Sequence, residues 1–403
     1  MADSALTLFY EFARNKSLVA SQGLGPTLGI TRTTEKRVFG SDKLLQTVAS
    51  GVAGFDHDPV NAMSLGLLVE EARTNLAIHS GDISDAAWVA SNMTKGTASV
   101  TDPTGGANIN VRLTASAANG TLLQTVTSTI DDYSYAVFMK RVTGTGDVQL
   151  TVDNGTTWTT KTLTSDWTRF DVSDASETNP VFGVRIVTDT DAIDFWGSDL
   201  NKNTIFPTSH IPTVASSVTR NKDDVKSTDV SWFNANAGTF YTDASILSTA
   251  RTSAGRVVQI SDDANNDLMR LFIGTDEVPT FGTVHSSDTN GAVTTPAISA
   301  SVLTKLACAY ADDDVALYQS GTAGTPDSTA AIPLADAMTK FAVGIDSIGN
   351  SPLNGHISEL RYYNVRKDNQ FLEDLSNGLI NEDSLSFSRN LSRPLARNLA
   401  RTL

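Results

Sequence analysis

The stretch YSYAVFMKRV, residues 133–142, carries the pattern on which the fold assignment depends. Successive side chains of a β-strand point to opposite faces of its sheet. One face of such a strand would carry large apolar side chains: Tyr133, Tyr135, Val137 and Met139. The other face would be mixed: Ser134, Ala136, Phe138 and Lys140. Because both faces are partly apolar, the pattern predicts a strand that lies between two layers.

Similar short stretches surround this one, and clusters of turn residues separate them. They read NINVRLTAS, GTLLQTVTST, DVQLTVDNG, TWTTKTL, WTRFDVSD, FGVRIVTD and AIDFWGSDL. Short strands without helical periodicity between them are typical of a β-sandwich with two sheets. We therefore predict a jelly-roll sandwich over residues 76–224.

A second all-β region follows over residues 225–380. Its strand-like stretches are GTFYTDASIL, GRVVQISD, LMRLFIG, KLACAYADDDVALYQSG, KFAVGID and GHISELRYYNV. The acidic DDD group reads as the solvated tip of a hairpin. RKDNQFLEDLSNG reads as a short helix closed by Gly378. The expected architecture is all-β, with two tandem sandwiches.

The two ends of the chain are expected to differ from the sandwiches. Residues 1–75 read as an irregular arm and connector of short strands and loops. Residues 381–403 form an amphipathic tail in which two residue types recur every fourth position: Arg389, Leu391, Arg393, Leu395, Arg397, Leu399 and Arg401. This tail is too short for a stable isolated helix. We expect it to dock on a partner surface, with a solvated terminus as the alternative.

The chain has 403 residues and a formal net charge of −15. Phosphate backbones and anionic membranes repel such a chain, so we expect no nucleic-acid partner. No apolar run reaches the ~18 residues of a membrane span, and the N-terminus lacks a secretory signal pattern. We therefore expect no membrane insertion and synthesis in a cytoplasm. The lone Cys308 is expected to be a small buried apolar residue.

Two polar groups near the connector invite chemical interpretations. Asp56-His57-Asp58 could bind a metal, but alternate side chains of an extended chain diverge, and Asp-Pro favours a turn. Glu70, Glu71 and Arg73 could serve acid-base chemistry, but an arginine that satisfies nearby carboxylates or carbonyls is the favoured reading. No nucleophile or P-loop motif is present, so we expect no enzyme activity, although glycosidase carboxylates carry no local motif.

Two further sets of residues are candidates for ligand binding. Asp262, Asp263, Asn265 and Asp267 offer the oxygen ligands that a structural Ca²⁺ prefers, although such clusters are also ordinary turn chemistry. No other cofactor is expected. Exposed aromatic rings would contact sugars, and the candidates are Trp88, Trp158, Trp167, Trp196 and Trp232. Trp158 follows a turn and is the predicted glycan contact, whereas Trp167 and Trp196 lie in strand patterns typical of a core.

The connector and the end of the first sandwich resemble two strings in virion proteins of tailed bacteriophages. The connector string comprises Thr31-Arg32, residues 55–59, Gly66 to Asn75 and Ser80 to Trp88. The later string, which we call the end-of-module string, comprises Trp196-Gly197, Ser209 to Thr213 and Thr219 to Asp223. The line RVFGSDKLLQ departs from the family pattern. The last region resembles a concanavalin or laminin-G-like sandwich through GHISELRYYNVRKDNQFLEDL, and the first resembles a carbohydrate-binding jelly roll.

This resemblance implies a non-enzymatic structural protein of a virion, of the fibre, spike or decoration type, assembled in the cytoplasm of a host bacterium. It implies copies of itself as partners, with a homotrimer expected, together with other virion proteins and a host-surface glycan. Weak sites presented in several copies would bind by avidity. Two alternatives remain: a cement protein that binds its own virion, and a polysaccharide depolymerase.

Overall fold

The computed structural model describes residues 5–262, 264, 266–286, 288–333 and 338–380. The side chains of residues 288–290 are outside this description. The predicted Arg/Leu tail, residues 381–403, therefore lies outside the described residues. Among the described residues, no helix is long and apolar enough to cross a membrane.

Strands dominate the described residues, and the two helices found among them are short. In chain order the elements are β1 (Leu6–Tyr10), α1 (Phe12–Asn15), β2 (Gln22–Gly23), β3 (Gly29–Thr31), β4 (Lys36–Phe39), β5 (Leu45–Val48), β6 (Phe55–His57), β7 (Ser64–Val69), β8 (Arg73–Asn75), β9 (Val89–Ser91), β10 (Met93–Gly96), β11 (Val100–Thr101), β12 (Ala107–Asn108), β13 (Arg112–Ala115), β14 (Gly120–Thr125), β15 (Asp131–Thr143), β16 (Val148–Thr151), β17 (Thr159–Lys161), β18 (Thr168–Glu177), β19 (Val181–Ile186), β20 (Ala192–Lys202), β21 (Val218–Arg220), β22 (Asp224–Ser227), β23 (Ala237–Ile246), β24 (Gly255–Ser261), β25 (Leu268–Ile273), β26 (Pro279–His285), β27 (Asp288–Thr294), β28 (Thr304–Ala311), β29 (Asp314–Gln319), β30 (Thr322–Ala323), β31 (Lys340–Val343), β32 (Gly355–Tyr363) and α2 (Asn369–Ser376). This composition confirms the all-β prediction.

The chain divides into two compact units, and each is discontinuous in sequence. Sandwich 1 consists of Thr31–Met63 and Glu70–Asp223. Sandwich 2 contains residues 5–30, Ser64–Val69 and the described residues from Asp224 onward.

Sandwich 1 packs two antiparallel sheets face to face. The larger sheet has the order β10-β13-β20-β15-β18, with β8 and β21 added beside β20, and the smaller has the order β17-β16-β19-β14-β9. The core between them includes Tyr133, Tyr135, Val137 and Met139 of β15. The opposite face of β15 is covered as well, because Phe138 packs with Leu45 and Trp196 in a second, smaller core. The strand of the quoted stretch thus lies between two layers, as predicted.

Sandwich 2 also contains two sheets. One has the order β2-β1-β32-β23-β28-β29-β30, with β7 also paired to β32, and the other has the order β27-β26-β25-β24-β31-β22-β3. The predicted hairpin is β28–β29, whose tip residues Asp312 and Asp313 are exposed. The predicted helix is α2, which begins at the cap Asp368 and ends before Gly378, where φ is 74°.

The unit boundaries differ from the four consecutive segments expected from the sequence. Leu8 of β1 pairs with Tyr362 of β32, so part of the expected N-terminal arm is a strand of a sandwich 2 sheet. Ser64–Val69 of the expected connector joins the same sheet through pairing of β7 with β32. Pairing between strands so far apart in sequence leaves no local periodic signal, because each strand reports only its own alternation.

Candidate functional site

Five charged residues of the connector and the end-of-module string meet inside sandwich 1, and we call them the charge core: Arg32, Lys36, Glu70, Arg220 and Asp223. Arg32 Nη1 lies 2.7 Å from Asp223 Oδ1, and Lys36 Nζ lies 2.7 Å from Asp223 Oδ2. Lys36 Nζ and Arg220 Nη1 each lie 3.0 Å from Glu70 Oε2. The side chains are 0–2% exposed, so these charges depend on one another for the solvation that water would otherwise supply.

Backbone groups complete the charge core. Asp223 Oδ2 accepts from the Glu70 backbone N–H at 2.9 Å, and Arg32 donates to the carbonyl oxygens of Ala49 and Val52. Glu70 Oε1 accepts from the Ser209 backbone N–H at 2.7 Å. Burial would raise the pKa of Glu70, but Arg220 and Lys36 outweigh it and hold that pKa well below its ordinary value. Glu70 is therefore an ionised structural group.

Arg73 and Glu71 of the connector also bond groups of the protein itself. Arg73 Nη1 donates to the Asn203 carbonyl at 3.0 Å, and its Nη2 pairs with Glu71. This agrees with the structural reading of that arginine.

The Asp56-His57-Asp58 group points its side chains at backbone atoms. Asp56 Oδ1 accepts from the Phe39 N–H at 2.7 Å, and His57 Nδ1 lies 2.9 Å from the Phe39 oxygen. Asp58 Oδ1 caps the following turn by accepting from the Val60 N–H at 2.7 Å. All three side chains are thus engaged in shaping the connector.

The calcium candidate is described in part. Asp263 and Asn265 lie outside the described residues. Asp262 Oδ1 accepts from the backbone N–H of Asn266 at 2.9 Å, and Asp267 Oδ1 lies 2.6 Å from His285 Nδ1. Among the described residues, no group of three or more His, Cys, Asp or Glu side chains is placed to hold a metal. A calcium site here stays a prediction.

The five tryptophans differ in the exposed fraction of the side chain and in whether the indole N–H makes a hydrogen bond. Trp88, Trp196 and Trp232 are 1%, 7% and 4% exposed, so they belong to cores. Trp158 and Trp167 are half-buried. Trp167 donates Nε1–H to the Thr101 carbonyl at 2.9 Å and packs beside the smaller core. The indole N–H of Trp158 makes no hydrogen bond in the described part of the chain and is the more available for a ligand.

Trp158 lies over a polar row on the outer face of the smaller sheet. The Arg185 guanidinium carbon is 4.3 Å from the centroid of the Trp158 ring. Arg185 donates Nε–H to Gln149 Oε1 at 2.8 Å, and Gln149 Nε2 donates to Thr160 Oγ1 at 3.1 Å. The register places Thr121 on the other side of Arg185, in the same row. We call these five residues the tryptophan face: Trp158, Arg185, Gln149, Thr160 and Thr121.

The turn before Trp158 fixes the position of the ring. Asp153 Oδ1 accepts from the Thr157 N–H at 3.0 Å and from Thr151 Oγ1 at 2.7 Å. Burial would raise the pKa of Asp153, but these hydrogen bonds outweigh it and lower that pKa. Gly155 has φ of 74°, and a Cβ there would lie 3.0 Å from the indole ring. Glycine thus meets both the backbone conformation and the close approach of Trp158.

The tryptophan face offers the elements that sugar recognition needs. The indole ring supplies a flat apolar surface for a pyranose ring. Arg185 Nη1 makes no hydrogen bond within the described residues. Two threonines of the same row add hydroxyl groups: Thr160, which accepts from Gln149, and Thr121, the register partner of Arg185. The sequence pointed to Trp158 through its turn, and Arg185 lies in the strand-like stretch FGVRIVTD. Their meeting depends on the strand register, which the sequence alone did not show.

Grooves also open on sandwich 1. One, of about 260 Å³, is lined by residues that include Phe39, Phe138, Lys140 and Trp167. Another, of about 340 Å³, is lined by residues that include Arg37, Pro212 and His210. A third, of about 320 Å³, is lined by residues that include Arg73 and Asn203.

His210 forms an acid–histidine pair, since its Nδ1 lies 2.7 Å from Asp199 Oδ2. The neighbouring hydroxyl, on Ser209, donates to Glu70 Oε2 at 2.8 Å and accepts from Arg220 Nη1 at 2.6 Å. These bonds hold Ser209 within the charge core instead of leaving it as a nucleophile for His210.

No protein-family model matches this chain, and no curated protein matches it. Several solved structures are similar in part. The CBM40 module of the IT-sialidase of Ruminococcus gnavus, bound to alpha2,3 sialyllactose, shares 13% identity over 36% of this chain and 83% of its own, with a TM-score of 0.32. Domain 4 of the GH43 arabinanase AbnA of Geobacillus stearothermophilus, in complex with arabinotriose, shares 15% identity over 42% of this chain and 82% of its own, with a TM-score of 0.33. The SAP-like pentraxin of Limulus polyphemus shares 11% identity over 35% of this chain and 70% of its own, with a TM-score of 0.28.

Proposed function

We propose that this chain is a non-catalytic glycan-binding protein of a bacteriophage virion, of the fibre, spike or decoration type. Sandwich 1 binds a sugar of the host surface on the tryptophan face. The sugar ring stacks on Trp158, and its hydroxyl groups bond Arg185 and the threonines beside it. Several copies of the chain on one particle turn weak individual contacts into stable attachment.

The observation that carries this proposal is the state of Trp158. Its ring is half-buried on an ordered turn, 4.3 Å from the Arg185 guanidinium carbon. A ring held in place in this way loses little conformational entropy when a ligand binds. Arg185 is also oriented beforehand, because Gln149 accepts two of its N–H groups. A preorganised aromatic and cationic pair on a sheet surface suits a polar ligand with one apolar face.

The non-catalytic part of the proposal is supported by the partners of three side chains that could otherwise take part in catalysis. Glu70 and Asp223 neutralise buried cations, and Ser209 is bonded to Glu70. Glycoside hydrolysis needs two carboxyl groups on either side of the scissile bond. No carboxylate belongs to the tryptophan face as defined by its five residues. Binding without bond cleavage is the function that this surface supports best.

The virion part of the proposal is supported by the resemblance of the connector and the end-of-module string to tailed-bacteriophage virion proteins. The fold gives those strings a physical role, because Arg32, Glu70, Arg220 and Asp223 from both of them form the charge core. The two strings close sandwich 1 by ion pairs and hydrogen bonds. They would therefore serve as a structural frame that carries the binding face.

The test uses the full chain, presented both as free protein and as clusters on beads. We expect the clusters to bind host-surface polysaccharide much more strongly than the free protein does, without release of reducing ends above a heat-killed control. Release of reducing ends would overturn the non-catalytic proposal in favour of a depolymerase. Absence of glycan binding, together with binding to purified particles of its own phage, would favour the cement alternative. Immunogold labelling of intact particles then tests the virion location.

A further inference from the structure

Two arginines share one aromatic ring on a face of the second sheet of sandwich 2. Arg256 on β24 lies opposite Phe272 on β25, and Arg270 lies two residues before Phe272 on the same strand. The guanidinium carbons are 5.0 Å and 4.9 Å from the centroid of the Phe272 ring. All three residues are half-buried. The ring therefore holds two positive charges side by side.

Within the described residues, neither arginine has a carboxylate oxygen at ion-pair distance, unlike several other cations. Arg256 donates Nε–H to Gln259 Oε1 at 3.2 Å. Arg270 makes no hydrogen bond or ion pair in the part of the chain that the structure describes, and its Nε is buried without a partner. By contrast, Arg361 of the same sandwich pairs with Glu359 at 3.0 Å. Arg256 and Arg270 thus keep N–H donors without acceptors among the described residues, in a chain whose formal net charge is −15.

The proximity of the two charges has a cost. Burial and repulsion by Arg270 lower the pKa of Arg256 from 12.5 to about 10, although Asp346 acts in the opposite direction. Burial likewise lowers the pKa of Arg270 against the effect of Asp346. Asp346 Oδ1 accepts from the Asn350 backbone N–H at 2.6 Å. An anion bound at the two guanidinium groups would relieve their repulsion and supply the missing acceptor.

Residues with small or no side chains form the sheet surface beside Arg270. Gly282 is the register partner of Arg270, and Ala292 is the register partner of Gly282. A Cβ on Gly282 would meet the Gly291 oxygen at 3.3 Å and no other neighbour within 4 Å. Ala292 is exposed. A chain-like ligand could therefore lie across this row next to the arginines.

We infer that Arg256 and Arg270 bind a carboxylate group of an acidic polysaccharide on this face of sandwich 2. The planar fork of arginine matches the two oxygens of a carboxylate, and Phe272 keeps both forks in place. The acidity of the whole chain disfavours the dense charge of a nucleic-acid backbone, whereas a polysaccharide carries its carboxylates further apart. This site is independent of the tryptophan face, because all of its residues belong to sandwich 2.

The experiment measures binding of polygalacturonate to the full chain at physiological salt, with neutral dextran as the reference polymer. We expect Arg256→Gln and Arg270→Gln each to weaken binding about tenfold, because each removes charged hydrogen bonds to the carboxylate. The matched control is Arg366→Gln, which removes an arginine of the same sandwich that already bonds Asp314 and Asn369. This control should leave polygalacturonate binding unchanged.

Three results would overturn the inference: no binding of polygalacturonate by the natural chain, unchanged binding by an Arg256→Gln/Arg270→Gln chain, or tighter binding of a single-stranded oligonucleotide of equal charge.

Circular dichroism melts establish that each variant is folded. If the double glutamine chain does not fold, Arg256→Lys/Arg270→Lys replaces it, since lysine keeps the charge but loses the fork. That variant should bind several-fold more weakly than the natural chain, and unchanged binding would count against the site. A chain that binds polygalacturonate but no neutral glycan would separate this site from the tryptophan face.

Discussion

The charge core and the tryptophan face belong to the same sandwich and use similar residue types in opposite ways. In the charge core, Arg32 and Arg220 are buried, and every charge has a partner of the opposite sign within 3.0 Å. In the tryptophan face, Arg185 is held by the neutral Gln149 and by a ring, and its Nη1 is left for an external acceptor. An arginine that looks functional in a motif can thus be structural, while a plain strand residue offers the binding chemistry.

This difference shows that residue type is a weaker guide to function than whether a side chain already has hydrogen-bond or ion-pair partners within the protein. The connector is rich in Asp, Glu, His and Arg, yet these side chains bond one another or the backbone. The tryptophan face has one charged residue, Arg185, and its binding capacity comes from donors that the fold leaves without partners among the described residues. Buried charges are costly to separate, whereas surface groups can change partners at little cost.

The largest expected effect comes from breaking the charge core. Asp223→Asn removes the carboxylate that neutralises Arg32 and Lys36 and leaves those buried cations short of a partner. We expect the free energy of unfolding to fall by about 3–5 kcal/mol in urea denaturation. The matched control is Asp314→Asn, because the Asp314 carboxylate that pairs with Arg366 is 52% exposed. Its loss should cost under ~1 kcal/mol. Equal losses in the two variants would contradict the structural role of the charge core.

A similar loss is expected from the core tryptophan of the same sandwich. Trp196 is 7% exposed and packs against Phe138 and His210. Trp196→Ala should lower the free energy of unfolding by about 3–5 kcal/mol, because it opens a cavity. Its folded fraction should bind glycan nearly as well as the natural chain does. If glycan binding by folded Trp196→Ala falls further than binding by Trp158→Ala, the tryptophan face is not the site.

A smaller effect is expected from pH. The pKa of Glu70 is lower in the folded chain than its ordinary value of 4.5, so its contribution to stability is complete above that value and is lost as the pH falls toward the folded-state pKa. Glu70→Gln should therefore be less stable near neutral pH but lose less stability than the natural chain between about pH 5 and pH 3. Parallel urea denaturation series measure this difference. Equal acid sensitivity of the two chains would show that Glu70 is not held ionised.

Local patterns predicted much of the fold, and long-range partners explain what they missed. Alternation in residues 133–140 was enough to place β15 between two layers, because each strand displays its own faces. The hairpin of β26 and β27 was missed, since its Thr, Gly and Ala residues give weak alternation. The ion pair of Arg32 and Asp223 spans 191 residues, and no local pattern reports such a partner.

The candidate site follows the same rule. Trp158 was predicted because the turn before it is visible in NGTTWTT. Its contact with Arg185 could not be predicted, because it depends on how β16, β17 and β19 are registered. The unused Arg270 donors are invisible in sequence for the same reason, since a missing partner is a property of the whole sheet surface.

The most direct test of the account compares the two half-buried tryptophans of sandwich 1 by calorimetric titration with a host-surface oligosaccharide. Trp158→Ala should weaken binding about tenfold or more, because stacking on the ring is lost, while its melting behaviour stays close to that of the natural chain. Trp167→Ala removes a ring of the same size whose indole N–H already bonds Thr101, and it should leave the affinity unchanged. The opposite result, weaker binding by Trp167→Ala and unchanged binding by Trp158→Ala, would move the site to the groove lined by Phe39 and Lys140 and would contradict the account.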